Sequence, residues 1–128
     1  EPYQRDAAGT SHVTILPASA DLAAFTAIAR MLVTANSTAA IEAMVVDVPA
    51  LVVPLPSNLS PFVEAGAMAG ADEDTLPVEL DRLLYDGKSR SRLKAARRAF
   101  LERYQIRADG HAAARSAETI LRAARNPE

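Results

Sequence analysis

Two clusters of small polar side chains interrupt an otherwise apolar stretch: Thr34, Asn36, Ser37 and Thr38, then Ser57, Asn58 and Ser60, with Glu42 between them and Glu64 beyond. Hydroxyls and amides at the start of a helix add donors to an anion site, because the first backbone N–H groups lack intrahelical acceptors and the helix dipole is positive there. A carboxylate deeper in the same helix can accept hydrogen bonds from paired hydroxyls such as those of a ribose. The same residue types also serve local structure, since Ser and Asn cap helices and Thr and Asn occupy turns. Glu42 is left over by capping: it lies five positions after Ser37, whereas a capping box wants Glu three after the cap. A solvated surface glutamate is the competing explanation.

Either chemistry requires strand-loop-helix junctions to present these residues. "MLVTA", 31–35, is too short and apolar for anything but a buried strand, and "STAAIEAMVV", 37–46, is a helix capped by Ser37 or Asn36. "ALVVPL", 50–55, is a further strand ended at Pro54, after which Ser60 and Pro61 have the cap and first-turn chemistry of a helix over 61–69, weakened at Gly66 and Gly70. Glu64 would sit favourably in the first turn of that helix. Upstream, "HVTIL", 12–16, is β-prone and "ADLAAFTAIAR" has the helical spacing Leu22, Phe25, Ile28, Ala29, with Asp21 near its start. Downstream, "LPVELDRLLYD" is amphipathic, Leu93, Ala96, Phe100, Leu101 and Tyr104 form one stripe, and Ala113, Ala117, Ile120, Leu121 and Ala124 repeat it in a helix over 111–125.

Short apolar strands alternating with helices predict an α/β fold, a Rossmann-like parallel sheet of about three strands flanked by helices. The organisation is one partial domain over 1–128, with a ligand-binding part over 12–70 and C-terminal helices over 75–125. In open parallel sheets ligands bind beyond the carboxyl ends of the strands, where both polar clusters would lie. Two helix starts converging on one crevice suit a diphosphate. Neither a G-x-x-x-x-G-K-[ST] loop nor a G-x-G-x-x-G turn occurs.

Composition limits the remaining options. With 128 residues, 49% hydrophobic and 23% charged, the chain can build one core. It has no cysteine, so disulfides and thiolate chemistry are excluded, and His12 and His111 are its only imidazoles. Neither a metal site nor a cofactor is expected. No apolar run approaches the roughly eighteen residues of a membrane span, and "EPYQRDAAGT" lacks the regions of a secretion signal, so a cytoplasmic protein is expected. The start at Glu1 and Pro2, with so narrow a sheet, suits a piece of a longer protein. Residues 1–87 hold three Lys or Arg against twelve Asp or Glu, and residues 88–128 hold eleven against four. The basic stretch from Lys88 to Arg98 is where nucleic acid would bind, but no aromatics interleave with its charges. It is read as a solvated helix face that complements the acidic half, with no nucleic-acid partner.

The segment "MLVTANSTAAIEAMVVDVPALVVPLPSNLSPFVEAG" resembles the donor-binding segment of the UDP-N-acetylglucosamine 2-epimerases and related enzymes of the GT-B glycosyltransferase fold, through Thr34, Ser37, Glu42, Pro49 and Pro61 to Gly66. The tail "ADGHAAARSAETIL" is similar to the epimerases' closing helix, through Asp109, Gly110, Ala112, Arg115 and Leu121. The resemblance spans roughly residues 12–123. It implies a C-terminal half-domain that binds a UDP-sugar, with the serine turn on the diphosphate and the glutamate on the ribose. It also implies a missing N-terminal Rossmann-like partner domain, which in those enzymes carries most catalytic acids and bases, so this chain alone would be inactive. The epimerases usually carry a Ser-Gly-Gly turn and adjacent glutamates, where this chain has Ser37-Thr38-Ala39 and Glu42-Ala43. A GT-B glycosyltransferase or glycerophosphotransferase shares the resemblance. A non-enzymatic α/β interaction module, assembling as a homo-oligomer through its exposed sheet edge, is the alternative outside enzymology.

Overall fold

The structure is a computed structural model that describes residues 9–125; the start of the chain at Glu1 and Pro2 lies outside the described residues. In chain order the elements are α1 (Leu22–Ile28), β1 (Leu32–Thr34), α2 (Ala39–Val45), β2 (Ala50–Val52), α3 (Ser60–Glu64), β3 (Ala69–Gly70), α4 (Leu76–Tyr85), α5 (Gly87–Arg103) and α6 (Ala112–Arg125). The strands form one parallel sheet in the order β1-β2-β3. Thr34 pairs with Val52 and Val52 with Gly70, so all three strands end at one edge. The α/β class and the parallel three-stranded sheet are as the alternation of short apolar runs predicts.

The period-two alternation of β2 organises the core. Ala50 and Val52 face a cluster with Ala40, Met44, Leu59, Ala67 and Met68, joined by Phe62, Phe100 and Leu101. Leu51 faces the other side, against Ala69, Ala71, Leu83, Leu80 and Leu93. β2 is therefore buried throughout, covered by α2 and α3 on one face and by α4 on the other, while α5 contributes to both. The α5 stripe extends this packing through aromatic contacts, Phe62 to Phe100 at 5.2 Å and Phe100 to Tyr104 at 4.5 Å between centroids.

The identity of one strand differs from expectation. Residues 12–16 form no strand, and Val13, Ile15 and Leu16 are exposed. Composition alone does not make a strand: among the described residues β1 pairs with β2 alone, and its other edge is left open rather than taken by 12–16. The third strand is Ala69–Gly70, within the stretch expected to be helical. Helix α3 stops at Glu64 because Gly66 takes a left-handed φ of 70° and the N–H groups of Gly66 and Ala67 return to Val63 and Phe62, at 2.9 Å each. The chain then runs straight into the sheet. Gly70 fits there because it lacks a side chain: a Cβ would stand 2.4 Å from Leu55 and 2.7 Å from Val63.

The α2-to-β2 connection is tied to a distant helix. Asp47 has a φ of 65°, its N–H reaches the Met44 carbonyl at 3.2 Å, and the Val48 N–H reaches the Ala43 carbonyl at 2.8 Å, closing α2 with a left-handed cap. Glycine or asparagine usually occupies that position, and a short acidic side chain tolerates it. The Asp47 carboxylate pairs with Lys94 and Arg97 of α5, and the Arg97 guanidinium also donates to the Asp47 carbonyl at 3.1 Å. Arg97 is 2% exposed.

Asp47→Ala would leave the buried guanidinium without its carboxylate and lower stability by about 3 kcal/mol, read as a lower urea midpoint at unchanged slope. Partial burial by itself raises the Asp47 pKa, but hydrogen bonds from Lys94 and Arg97 and their charges outweigh it and hold the carboxyl below its ordinary 3.8. A carboxyl depressed by folding contributes stability fully above the unfolded value, and that stability is lost as pH falls through the lower folded value. Stability should therefore decline below about pH 4. The decline should be shallower in Asp47→Asn, measured by urea unfolding across that range.

Candidate ligand-binding edge

The loops that follow the three strands leave the sheet side by side. The Val53 N–H donates to the Thr34 carbonyl at 2.9 Å and the Ala71 N–H to the Val52 carbonyl at 3.0 Å, extending the ladder into the loops. Asn36, Ser37 and Thr38 thus follow β1, and Ser57, Asn58 and Ser60 follow its neighbour β2, each set leading from a strand's carboxyl end into a helix. Asn36, Ser37, Thr38 and Asn58 are exposed, while Ser57 and Ser60 are half-buried.

Each loop closes on itself through side-chain hydrogen bonds. Thr34 Oγ1 accepts from the Ser37 N–H at 3.3 Å, and Ser37 Oγ accepts from the Ala39 N–H at 3.2 Å. Ser37 thus closes the turn that leads into α2, whose N-cap position is held by Thr38 with no side-chain cap bond of its own. In the next loop Ser57 Oγ accepts from the Leu59 N–H at 3.1 Å, and Ser60 Oγ accepts from the Ser57 N–H at 2.9 Å. The two serine bonds are reciprocal, as in a capping box, but they tie the turn ahead of α3, whose N-cap position is held by Leu59 with no side-chain cap bond. Ser60, expected as the cap, is instead the first residue of α3, because the turn opens at Ser57, whose carbonyl accepts from the Ser60 N–H at 3.0 Å.

The two glutamates fall in different places. Glu42 is exposed in the first turn of α2, where a carboxylate is favoured by the helix dipole. The late start of the helix at Ala39 supplies this explanation, which counting from Ser37 does not reveal. Glu64, expected in the first turn of its helix, is instead the last residue of α3, because that helix is only five residues long. It gains nothing from the positive end of the dipole and lies away from the loop start.

A third loop belongs to the same edge and carries residues that the polar clusters do not include. Asp72 Oδ1 accepts from the Thr75 N–H at 2.8 Å and the Thr75 hydroxyl at 2.6 Å, and Thr75 Oγ1 accepts from the Asp72 N–H at 3.0 Å. These bonds, from the Thr75 hydroxyl first and its N–H second, hold the Asp72 carboxyl below the ordinary aspartate value. The Asp-x-x-Thr spacing was the available signal. It goes unused when 69–70 is taken as the end of a helix rather than as a strand. With Glu73 and Asp74 this loop makes the β3 end of the edge acidic, so an anion is favoured over the β1–β2 junctions. Among the described residues no three His, Asp or Glu side chains are placed to hold a metal ion.

One surface cavity, of about 390 Å³, lies against β3 between α4 and α5, with Val63, Gly70, Arg82 and Leu93 in its walls. It contains neither polar cluster. Asn36, Ser37, Thr38 and Asn58 are exposed, so a second body would have to cover them to exclude water. Among the described residues no helix is long and apolar enough to cross a membrane. Comparison of the chain with protein-family models, with curated proteins and with solved structures finds no match.

Ser57→Ala and Ser60→Ala should each cost about 1 kcal/mol, as lost caps do. The double variant should cost less than the sum, because the two bonds hold one turn. Urea unfolding of the four chains of that cycle measures the coupling, and strict additivity would show the two serines to act separately.

Proposed function

We propose that the chain is a nucleotide-sugar-binding half-domain of a UDP-N-acetylglucosamine 2-epimerase-like enzyme, receiving a UDP-sugar at the carboxyl edge of the sheet. The observation that carries the reading is the adjacency of two strand-loop-helix junctions, each with hydroxyl and amide side chains at a helix start. In this reading Ser37 and Thr38 meet the diphosphate, Glu42 accepts from the ribose hydroxyls, and Ser57, Asn58 and Ser60 meet the sugar or the second phosphate. Glu64, at the far end of α3, falls outside the site. In this reading the edge is half of a cleft, and an N-terminal Rossmann-like domain would supply the other half with the acids and bases. Epimerisation there would proceed by elimination and re-addition of UDP, with this chain holding the leaving diphosphate.

Two observations support second readings. The α2 start carries Ser37-Thr38-Ala39, all with side chains, which restricts backbone approach to a diphosphate and suits a transferase of the GT-B fold as well as an epimerase. Exposed apolar residues at Phe25, Ile28 (80% exposed) and Val33 suit an interaction module or homo-oligomer joined through the β1 side of the sheet.

Calorimetric titration of the chain with UDP separates these readings. Glu42→Ala should weaken binding by about 1–3 kcal/mol, the worth of hydrogen bonds to a charged group, while leaving the unfolding midpoint within about 0.5 kcal/mol of the parent. Ser37→Ala should weaken binding similarly but also lose the turn bond to the Ala39 N–H, so Glu42 is the cleaner probe. Absence of binding at millimolar UDP, in a chain that unfolds cooperatively, would exclude the proposal.

A further inference from the structure

The opposite edge of the sheet carries a basic cavity that the nucleotide-sugar reading does not use. It has a volume of about 370 Å³ and lies between the α2-to-β2 turn and the first three turns of α5, walled by Asp47, Gly87, Arg90, Ser91, Lys94 and Arg97. Three cations and one carboxylate share this space. Asp47 is already committed to Lys94 and Arg97, and the buried Arg97 Nε has no hydrogen-bond partner. Arg90 is exposed and lies one helical turn before Lys94, so both side chains rise from the same face of α5. The Ser91 hydroxyl is a further donor, and at Gly87 an added Cβ would meet nothing within 4 Å, so the entrance beside it is open.

We propose that this cavity binds a phosphate dianion, either free or as the phosphoryl group of a small monoester. The excess of cations over carboxylate matches a double negative charge. A tetrahedral set of oxygens can take the planar fork of Arg90, the Lys94 ammonium and the Ser91 hydroxyl at once, which a single planar carboxylate cannot. The helix start itself is not the anchor, because Asp86 already accepts from the Lys88 and Ser89 N–H groups at 3.0 and 3.3 Å. The binding groups are side chains held in place by the Asp47 tie, which fixes Lys94 and Arg97 before any ligand arrives. The site is at the amino edge of β2, so it stands or falls independently of UDP binding at the carboxyl edge.

The test is an amide-resolved NMR titration with inorganic phosphate at constant ionic strength, with glycerol phosphate as a second arm. Saturable shifts at residues 87–94 are expected. Arg90→Gln with Lys94→Gln should raise the dissociation constant at least tenfold, while Arg97 and its bonds to Asp47 keep the chain folded. Comparable affinity for the two probes assigns the site to phosphate monoesters, and preference for inorganic phosphate assigns it to the free ion. Shifts that never saturate, that chloride reproduces, or that survive the double substitution would overturn the proposal. Loss of dispersion in the double variant is answered by Arg90→Gln alone, which removes no ion pair seen in the structure and should still weaken binding severalfold.

Discussion

Arg97 is the one charged side chain buried among the described residues, and the carboxylate that compensates it lies fifty positions earlier in the chain. Burying a guanidinium without a partner costs several kcal/mol, so α5 can pack against the sheet only where Asp47 meets it. Asp47 in turn occupies the left-handed residue that ends α2 and starts the approach to β2. One interaction therefore sets the end of a helix, the start of the central strand and the docking of the longest helix. The closure entropy of so long a loop is a modest cost once the hydrophobic stripe of α5 is buried with it.

From that frame the carboxyl edge follows. β2 is buried on both faces, so its register with β1 and β3 is pinned by alternation, and the loops after the three strands must leave from one line. Each loop is then stiffened by its own hydroxyl or carboxylate, at Ser37, at the Ser57–Ser60 pair and at the Asp72–Thr75 pair. Loops fixed in this way lose little entropy on binding, which favours ligand affinity. The same bonds occupy Ser37, Ser57 and Ser60 as acceptors and leave their hydroxyl hydrogens to donate, a polarity that would suit an anionic partner.

How much of this was legible in the sequence depended on the kind of signal. The runs at 31–35 and 50–55, bounded by polar or proline residues, announced two strands, but only β2 is buried as expected: β1 lies at the sheet edge with Val33 exposed. The amphipathic stripes of α4 and α5 announced helices. The third strand carries only Ala69 and Gly70, with no β-branched residue, and is created by the sheet edge and by the close packing of Leu55 and Val63 on Gly70. The run at 12–16 had the composition of a strand but pairs with none of the three strands, and its apolar residues stay exposed. Single-residue cap chemistry, which offered Ser37 or Asn36 and then Ser60, missed both cap positions: these fall to Thr38 and Leu59, because the serine side chains close the turns just ahead of the helices. The Asp47–Arg97 tie was visible only as an opposition between an acidic and a basic half; distance along the chain hid which two residues meet.

The two edges divide the chain chemically, with hydroxyls and amides at the carboxyl ends of β1 and β2 and guanidinium and ammonium groups at the amino end of β2. An amide-resolved titration with UDP-N-acetylglucosamine, which has no terminal phosphate dianion, asks most directly whether the first of these is a nucleotide-sugar edge. Saturable shifts concentrated at residues 36–42 and 57–60 are predicted. A spectrum unchanged at those residues, with the chain folded and the ligand at millimolar concentration, would contradict the account.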